Sequence, residues 1–267
     1  SNNSLKYNLK TIQLKPGFSD AIGNVGLRYR NKGDLSEALE WYLKAHKMDP
    51  FNRRNHWHVG FTHELLGEYK IAEDLYLEGL LKHNDSFECL SALVFYHLNF
   101  SRPNKAKYYL DELLRLRPND NRSVRVALSY FLNIKDFDNA MVFGLKIKQQ
   151  NISDKISLAF LEKRLKNNEI ANKYLTDAIN QLDGWIKSND QSANAYYQLA
   201  KINSLSGDYN KAFDLLETMV DMGGLNYKRF MASPFFNNLR NDPRYFKLID
   251  RIKTIIDRER IEAGLVS

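Results

Sequence analysis

The sequence predicts an all-α fold, a right-handed superhelix of stacked helical hairpins (an α-solenoid) that ends in a capping helix. The first observation is a small residue at a fixed interval of 34 positions, at Ala38, Ala72, Ala106 and Ala140. The second is that proline keeps the same register, at Pro16, Pro50 and Pro118. A period of this length is typical of helical repeat arrays. Because one hairpin cannot bury its apolar face alone, neighbours must stack, and the product is a binding surface and not a catalytic pocket.

The clearest unit spans residues 19–52, and its residues fit two antiparallel helices joined by a tight turn. Gly26 is small, which allows close approach of the helices, while Tyr42 fills the gap between hairpins. Gly33 stands where the first helix ends and a positive φ is needed. Asp34 is then the expected N-cap of the second helix.

This unit resembles the tetratricopeptide repeat, a family with large and small residues at fixed offsets. The matching positions are Ile22, Val25, Gly26, Tyr29, Gly33, Asp34, Leu35, Ala38, Tyr42, Ala45 and Pro50. The resemblance implies hairpins whose first helices line a concave groove for a partner protein or peptide. We therefore expect a non-enzymatic interaction scaffold with no cofactor and no catalytic residues.

The repeat also sets the expected organisation of the chain. Residues 1–18 match only the second helix of a truncated repeat, which predicts that the chain is a fragment of a longer protein. The array covers residues 19–224, and residues 225–267 form a capping segment. The units of the array are 19–52, 53–86, 87–120, 121–151, an irregular 152–190, and 193–224.

The irregular unit should contain an elongated second helix. Alanine leaves the strict register after Ala140, which predicts a helix from roughly Glu169 to Lys187. Its apolar residues hold helical spacing, at Leu175, Ala178, Ile179, Leu182 and Ile186.

Composition narrows the function classes further. The net charge is +7, but basic residues are scattered among 32 acidic ones, which argues against direct nucleic-acid binding. The charge favours either an acidic protein partner or simply solubility.

Cys89 is the one cysteine, so no internal disulfide forms, and a small packing residue is expected there. With no apolar run long enough for a membrane span, no membrane contact is expected. The cytoplasm is the expected location, or the periplasm if an anchor lies upstream.

Carrying the family's groove offsets onto this chain gives a candidate ligand surface. Its aromatic members would offer rigid apolar area and its arginines would pair with carboxylates. The six partner-binding candidates are Arg54, Trp57, Phe61, Phe95, Arg122 and Arg125. Further groove positions are Leu27, Arg30, Glu64, Ser91, Asn99 and Asn133. The alternative is that these aromatics pack against neighbouring helices or a segment of the same chain.

Two sharper possibilities are disfavoured. Chaperone-binding members of the family bind a terminal carboxylate with Lys and Asn at fixed repeat offsets. Counted from the first full unit, the corresponding positions here are Gly23, Leu27, His58, Glu88 and Ala92. A metal site at the histidines of the second unit is also disfavoured, because their slots match packing positions. Those histidines are His56, His58 and His63.

The C-terminal segment resembles the tail that follows tetratricopeptide arrays in bacterial class III adenylate cyclases and winged-helix transcription activators. The resemblance rests on Ser233-Pro234-Phe235-Phe236, Leu239-Arg240 and Asp242-Pro243-Arg244-Tyr245-Phe246. It implies the alternative function, a regulatory or sensory domain of a signalling protein that binds a small ligand or controls an N-terminal effector domain.

A capping helix is expected in the same segment. Asp242 is the predicted N-cap and Pro243 the first helical residue. The polar end of the helix should be exposed. The predicted apolar stripe is Phe246, Leu248, Ile249, Ile252 and Ile256.

Overall fold

The computed structural model describes residues 2–187 and 192–265, and every regular element within those ranges is a helix. The helices are α1 (Asn2–Leu14), α2 (Ser19–Lys32), α3 (Leu35–Met48), α4 (Arg53–Leu65), α5 (Tyr69–Lys82), α6 (Phe87–Asn99), α7 (Pro103–Leu116), α8 (Asn121–Asn133), α9 (Phe137–Lys146), α10 (Ile152–Arg164), α11 (Asn168–Lys187), α12 (Ala193–Ser206), α13 (Tyr209–Asp221), α14 (Tyr227–Ala232) and α15 (Pro243–Glu262). A 3₁₀ helix spans Pro234–Leu239. Some ends of the predicted segments, at residues 1, 188–190 and 266–267, lie outside the residues that the structure describes.

The helices pack into two compact units. Unit 1 comprises Ser1–Leu93, Met222–Asn226 and Asp250–Ser267, and unit 2 comprises Val94–Asp221 and Tyr227–Ile249. Unit 1 contains the hairpins α2–α3 and α4–α5, and unit 2 contains α8–α9, α10–α11 and α12–α13. This succession of helical hairpins confirms the predicted all-α fold.

Small residues allow close helix contact inside the first two hairpins, as predicted. A Cβ added at Gly26 would lie 2.9 Å from Tyr42 Cδ1, and one at Gly60 would lie 2.7 Å from Tyr76 Cε1. Both tyrosines are buried. The same glycine–tyrosine contact therefore recurs one period later, because each tyrosine ring needs the space of the missing side chain.

The turn inside each hairpin keeps one backbone conformation although its residue changes. Gly33 has φ of 90° and Gly67 has φ of 82°, as expected for the left-handed end of a helix. In later hairpins the same conformation is held by Ser101 at 54°, Lys135 at 63° and Lys166 at 63°. At these three residues the backbone adopts a conformation that costs roughly 1 kcal/mol for any residue other than glycine.

The predicted capping role of Asp34 is wrong in one respect. Asp34 lies at the N-cap of α3, but its side chain accepts no capping hydrogen bond. The amides of Leu35 and Ser36 instead donate to Glu259 Oε2 at 2.7 and 3.0 Å. Because Glu259 accepts from the Ser36 amide, a donor that an N-cap side chain normally uses is already bonded.

Helix α15 begins as predicted but its apolar stripe differs at one residue. Asp242 Oδ1 accepts from the Arg244 amide at 2.9 Å, and Pro243 is the first helical residue. Phe246 is 59% exposed, whereas Tyr245 is buried in unit 2 and its ring lies 4.7 Å from that of Phe230. The remaining predicted positions are buried: Leu248, Ile249, Ile252 and Ile256.

The polar end of α15 is not the exposed terminus that its composition predicts. Glu259 is only 5% exposed, because it caps α3. Arg260 Nη1 donates to the Leu66 carbonyl at 2.6 Å, and its Nη2 lies 2.7 Å from Glu68 Oε1. Two adjacent side chains thus bind the turns of the first and second hairpins within unit 1.

Two other predicted features are present. The long helix α11 begins at Asn168, one residue before the predicted start, and it buries Leu175, Ala178 and Leu182 while Ile179 lies at its exposed edge. Cys89 is buried and would lie 2.6 Å from a Cβ at Gly79, so it is a packing residue as expected. Burial raises the pKa of its thiol to about 11.

Candidate functional site

Three of the predicted groove residues lie together on helix α4 of unit 1. Asn52 caps this helix by accepting from the Arg54 amide at 3.0 Å, so the first turn is fixed. Trp57 and Phe61 follow one turn apart and their rings stack, with centroids 5.5 Å apart and planes 8° apart. Both rings are half-buried and the Arg54 side chain is exposed. One face of α4 therefore presents a flat aromatic surface beside a cation.

Arg30 from helix α2 completes this surface. Its guanidinium carbon lies 5.2 Å from the ring centroids of both Trp57 and Phe61, and 5.6 Å from that of Tyr42. These distances are within the range of cation–π attraction. Burial lowers the pKa of Arg30. We refer to Arg30, Trp57 and Phe61 as the aromatic patch.

His58 supports the aromatic patch from behind. Its ring stacks on Tyr42 at 4.6 Å with planes 7° apart, and its Nδ1 lies 3.4 Å from Arg30 Nη1. Burial, followed by the charges of Arg30 and Arg54, lowers the pKa of His58 to about 3. A neutral imidazole adds no charge at the surface and accepts from the guanidinium.

The other two histidines of the predicted cluster occupy separate environments. His56 is buried with its Nε2 3.5 Å from Glu78 Oε1 and its ring edge-on to His46. His63 is also buried, and burial lowers the pKa of both His56 and His63. Their burial supports the packing role that their repeat positions predict.

The other three candidates belong to unit 2, and one of them, Arg125, forms an ion pair and a hydrogen bond within the chain. Phe95 is 38% exposed on α6, and Arg122 is exposed with its Nε 3.4 Å from Asp120 Oδ2. Arg125 donates to Asp154 Oδ2 at 2.8 Å and to the Gln149 carbonyl at 2.7 Å. Its partner Asp154 is buried. Arg125 thus joins α8 to the start of α10.

Further predicted groove positions also have intramolecular contacts. Glu64 is buried and accepts from the Tyr76 hydroxyl at 2.9 Å. Ser91 Oγ donates to the Glu88 carbonyl at 3.1 Å, and Asn133 Nδ2 donates to the Ser129 carbonyl at 2.8 Å. The hydrogen bonds of Ser91 and Asn133 each stay within one helix.

One unusual side chain is not evident from the repeat pattern. Lys201 on α12 is buried, with its Nζ 4.0 Å from the Phe235 ring centroid and 3.2 Å from Gln198 Oε1. Burial, with the charge of Arg229 second, lowers its pKa to about 7. Its repeat position gives no indication of this environment, because Phe235 belongs to the C-terminal segment.

Acidic side chains also converge at the end of α15. Carboxylate oxygens of Glu37, Glu259 and Glu262 lie within 4.8 Å of one another. Since Glu259 already accepts two backbone amides, the helix cap explains this cluster. Among the helices of residues 2–187 and 192–265, none combines the length and apolar character that a bilayer crossing needs.

Comparison with known proteins supports the repeat directly. A family model for the tetratricopeptide repeat matches residues 19–52, so α2 and α3 form one such repeat. The uncharacterised protein MJ0572 of Methanocaldococcus jannaschii is 34% identical over 55 residues. That stretch is 21% of this chain and 64% of the relative, so the chain spans less than two thirds of the relative's length.

Solved structures with the same fold cover most of the chain. One chain of the Cut9–Hcn1 hetero-tetramer of the APC/C has a TM-score of 0.57 at 18% identity, and the match covers 94% of this chain and 46% of that one. A tetratricopeptide repeat protein from Parabacteroides merdae has a TM-score of 0.52 at 15% identity, over 93% and 91%. PilF of Pseudomonas aeruginosa has a TM-score of 0.50 at 17% identity, over 87% and 97%. These likenesses show the fold alone. The resemblance of the tail to bacterial cyclases and transcription activators gains no support from them and stays a prediction.

Proposed function

We propose that the chain is a non-enzymatic interaction scaffold that binds a partner protein or peptide at the aromatic patch of unit 1. The single observation that carries the proposal is the parallel stack of Trp57 and Phe61 against Arg30. Half-buried rings held by a capped helix are rigid before binding, so they lose little conformational entropy when a partner docks.

Residue chemistry supports the same choice of site. Trp and Arg are among the residues most enriched in binding hot spots, which lie in well-packed surroundings. Trp57 supplies the large apolar area, while Arg30 and the exposed Arg54 supply positive charge beside it. A partner that offers an apolar side chain next to an acceptor group would fit this combination.

A peptide selection tests the proposal, because it requires no identified partner. A random peptide library is selected against the full chain, and each selected peptide is then titrated against the wild type and a Trp57→Ala/Phe61→Ala variant. We expect at least tenfold weaker binding to the variant, since truncation of a hot-spot residue costs about 2 kcal/mol or more. Circular dichroism checks that the variant is folded.

The matched control removes an exposed aromatic elsewhere. Tyr108 on α7 is 69% exposed, so Tyr108→Ala removes comparable apolar area from another helix. Peptides that lose affinity on Tyr108→Ala and keep it on Trp57→Ala/Phe61→Ala would contradict the assignment of the site. A library that yields no ligand dependent on either position would contradict the proposed function itself.

A further inference from the structure

Arg30 lies among aromatic rings, and none of the described carboxylates pairs with it. Within residues 2–187 and 192–265 no carboxylate forms an ion pair with Arg30, and the one hydrogen-bond contact of its guanidinium is with His58 Nδ1. Glu64, which stands one period later than Arg30, accepts from Tyr76 instead. In the described part of the chain, aromatic rings and a neutral imidazole therefore surround the guanidinium of Arg30, and no anion pairs with it.

The N–H groups of Arg30 that make no hydrogen bond are not fully enclosed, since Arg30 is half-buried. Among the buried polar atoms without a partner in the described residues, no Arg30 nitrogen occurs. A guanidinium has five N–H donors in one plane, and His58 Nδ1 contacts only one of the nitrogens of Arg30. Arg30 thus retains N–H donors for an incoming acceptor.

An anionic ligand would compensate the cost of this arrangement. Burial disfavours the charged form of Arg30, as the lowered pKa indicates. A partly desolvated cation without a counter-ion gains strongly from a carboxylate that binds both of its parallel N–H groups. Arg54 is exposed, and its charge also acts on His58, so it adds a second cation near His58.

We propose that Arg30 binds a glutamate or aspartate side chain of the partner peptide, while Trp57 and Phe61 hold an apolar residue beside that acid. This inference rests on the proposed function, since it names the chemistry of the ligand at the same surface. A single carboxylate matches one guanidinium edge. His58 stays neutral at physiological pH and serves as an acceptor that orients the guanidinium.

Matched peptide pools test the carboxylate. Three synthetic peptide pools differ only in one fixed residue, because their cores are Glu-Leu-Trp, Gln-Leu-Trp and phosphoserine-Leu-Trp. The same randomised positions flank each core. Binding of each pool is titrated by fluorescence anisotropy. The wild type is expected to bind the Glu pool about tenfold more tightly than the Gln pool, because truncating one member of a close charge pair weakens binding at least that much.

Variants assign the preference to one side chain. Arg30→Met should remove the Glu-over-Gln preference, and Arg30→Lys should keep part of it, since a lysine retains charge without the planar fork. Arg53→Met is the control. It removes the same charge from the adjacent helix α4, where Arg53 pairs with Asp85 at 3.0 Å. This control should leave the preference intact.

The outcomes separate the two proposals. Equal binding of the Glu and Gln pools, with both weakened by Trp57→Ala/Phe61→Ala, would overturn the carboxylate inference and leave the proposed function standing. A tenfold preference for the phosphoserine pool over the Glu pool would reassign the site to phosphate and overturn it as well. Binding that is insensitive to the aromatic variant would contradict both proposals.

Discussion

Glu259 accepts a hydrogen bond from the Leu35 amide at 2.7 Å across a sequence separation of 224 residues. The last helix of the chain therefore supplies the N-terminal cap of helix α3 in the first complete repeat. The adjacent Arg260 binds the Leu66 carbonyl, one period after the Lys32–Gly33 turn. The C-terminal end of α15 is thus part of the folded core of unit 1 and not a loose polar tail.

Removing this distant cap should destabilise the chain more than removing the local one. Glu259→Ala leaves two buried amides without an acceptor, and we expect a loss of about 1–2 kcal/mol in the free energy of unfolding. Asp34→Ala, at the N-cap position itself, should cost less than about 0.5 kcal/mol because its side chain makes no cap bond. Urea denaturation measures both, and equal losses would contradict the assignment.

Gly223 should tolerate no side chain. It has φ of 84°, and a Cβ there would lie 2.2 Å from the Lys32 carbonyl carbon. Gly223→Ala is therefore expected to destabilise the chain by more than about 2 kcal/mol. Gly207→Ala is the control, because Gly207 has φ of 85° with nothing within 4 Å of the added Cβ. It should lose only the conformational part, about 1 kcal/mol, and thermal melting that finds similar losses would refute the close contact.

Glycine should stabilise the turn at Lys135. This residue has φ of 63°, so Lys135→Gly relieves a left-handed conformation and should raise the free energy of unfolding by up to about 1 kcal/mol. Lys173→Gly, at an exposed position inside α11, should lower it by about 1 kcal/mol because glycine weakens a helix interior. Chemical denaturation of the pair should give opposite signs. A loss of stability at both positions would mean that the strain at Lys135 is negligible.

Lys201 should make stability depend on pH. Its pKa is about 7 in the folded chain against 10.5 for an ordinary lysine. As pH falls from about 10.5 to about 7 the unfolded chain binds a proton that the folded chain does not, so stability decreases over that window. Below about pH 7 the loss levels off. Arg229 opposes the charged form, and Asp154 favours it.

Lys201→Met should abolish this dependence. Relative to the variant, the wild type should lose about 2 kcal/mol between about pH 9 and pH 7. Lys173→Met, an exposed lysine on α11, should change neither the stability nor its slope with pH. Parallel pH profiles for the wild type and Lys201→Met would show that Lys201 keeps an ordinary pKa.

The repeat made the local structure predictable, because the same physical requirement recurs every period. Gly26, Gly33 and Tyr42 each have a role that residue size or backbone freedom alone indicates. The contacts of Glu259 were not predictable in the same way. Its charge and its place at a helix end indicate exposure, and only the tertiary path of α15 brings it to Leu35.

The candidate site was also predictable only in part. Trp57 and Phe61 follow from repeat offsets, and their i, i+4 spacing places both on one helix face. Arg125 follows from the same offsets, yet it is held by Asp154, because offsets fix a direction and not the neighbour that a side chain meets. Tyr245 in place of Phe246 is a similar case, since the two are neighbours at the start of the predicted stripe and contact with Phe230 decides between them.

The most direct test of the proposed site is the fluorescence of Trp57 as the only tryptophan. The chain has three tryptophans, and Trp41→Phe/Trp185→Phe leaves Trp57 alone. The tightest peptide from the library selection is titrated, and its dissociation constant is measured separately by calorimetry. Binding at the aromatic patch predicts a shift in Trp57 emission that saturates with the calorimetric dissociation constant. Calorimetric binding with no change in Trp57 emission would contradict the central claim that this surface holds the partner.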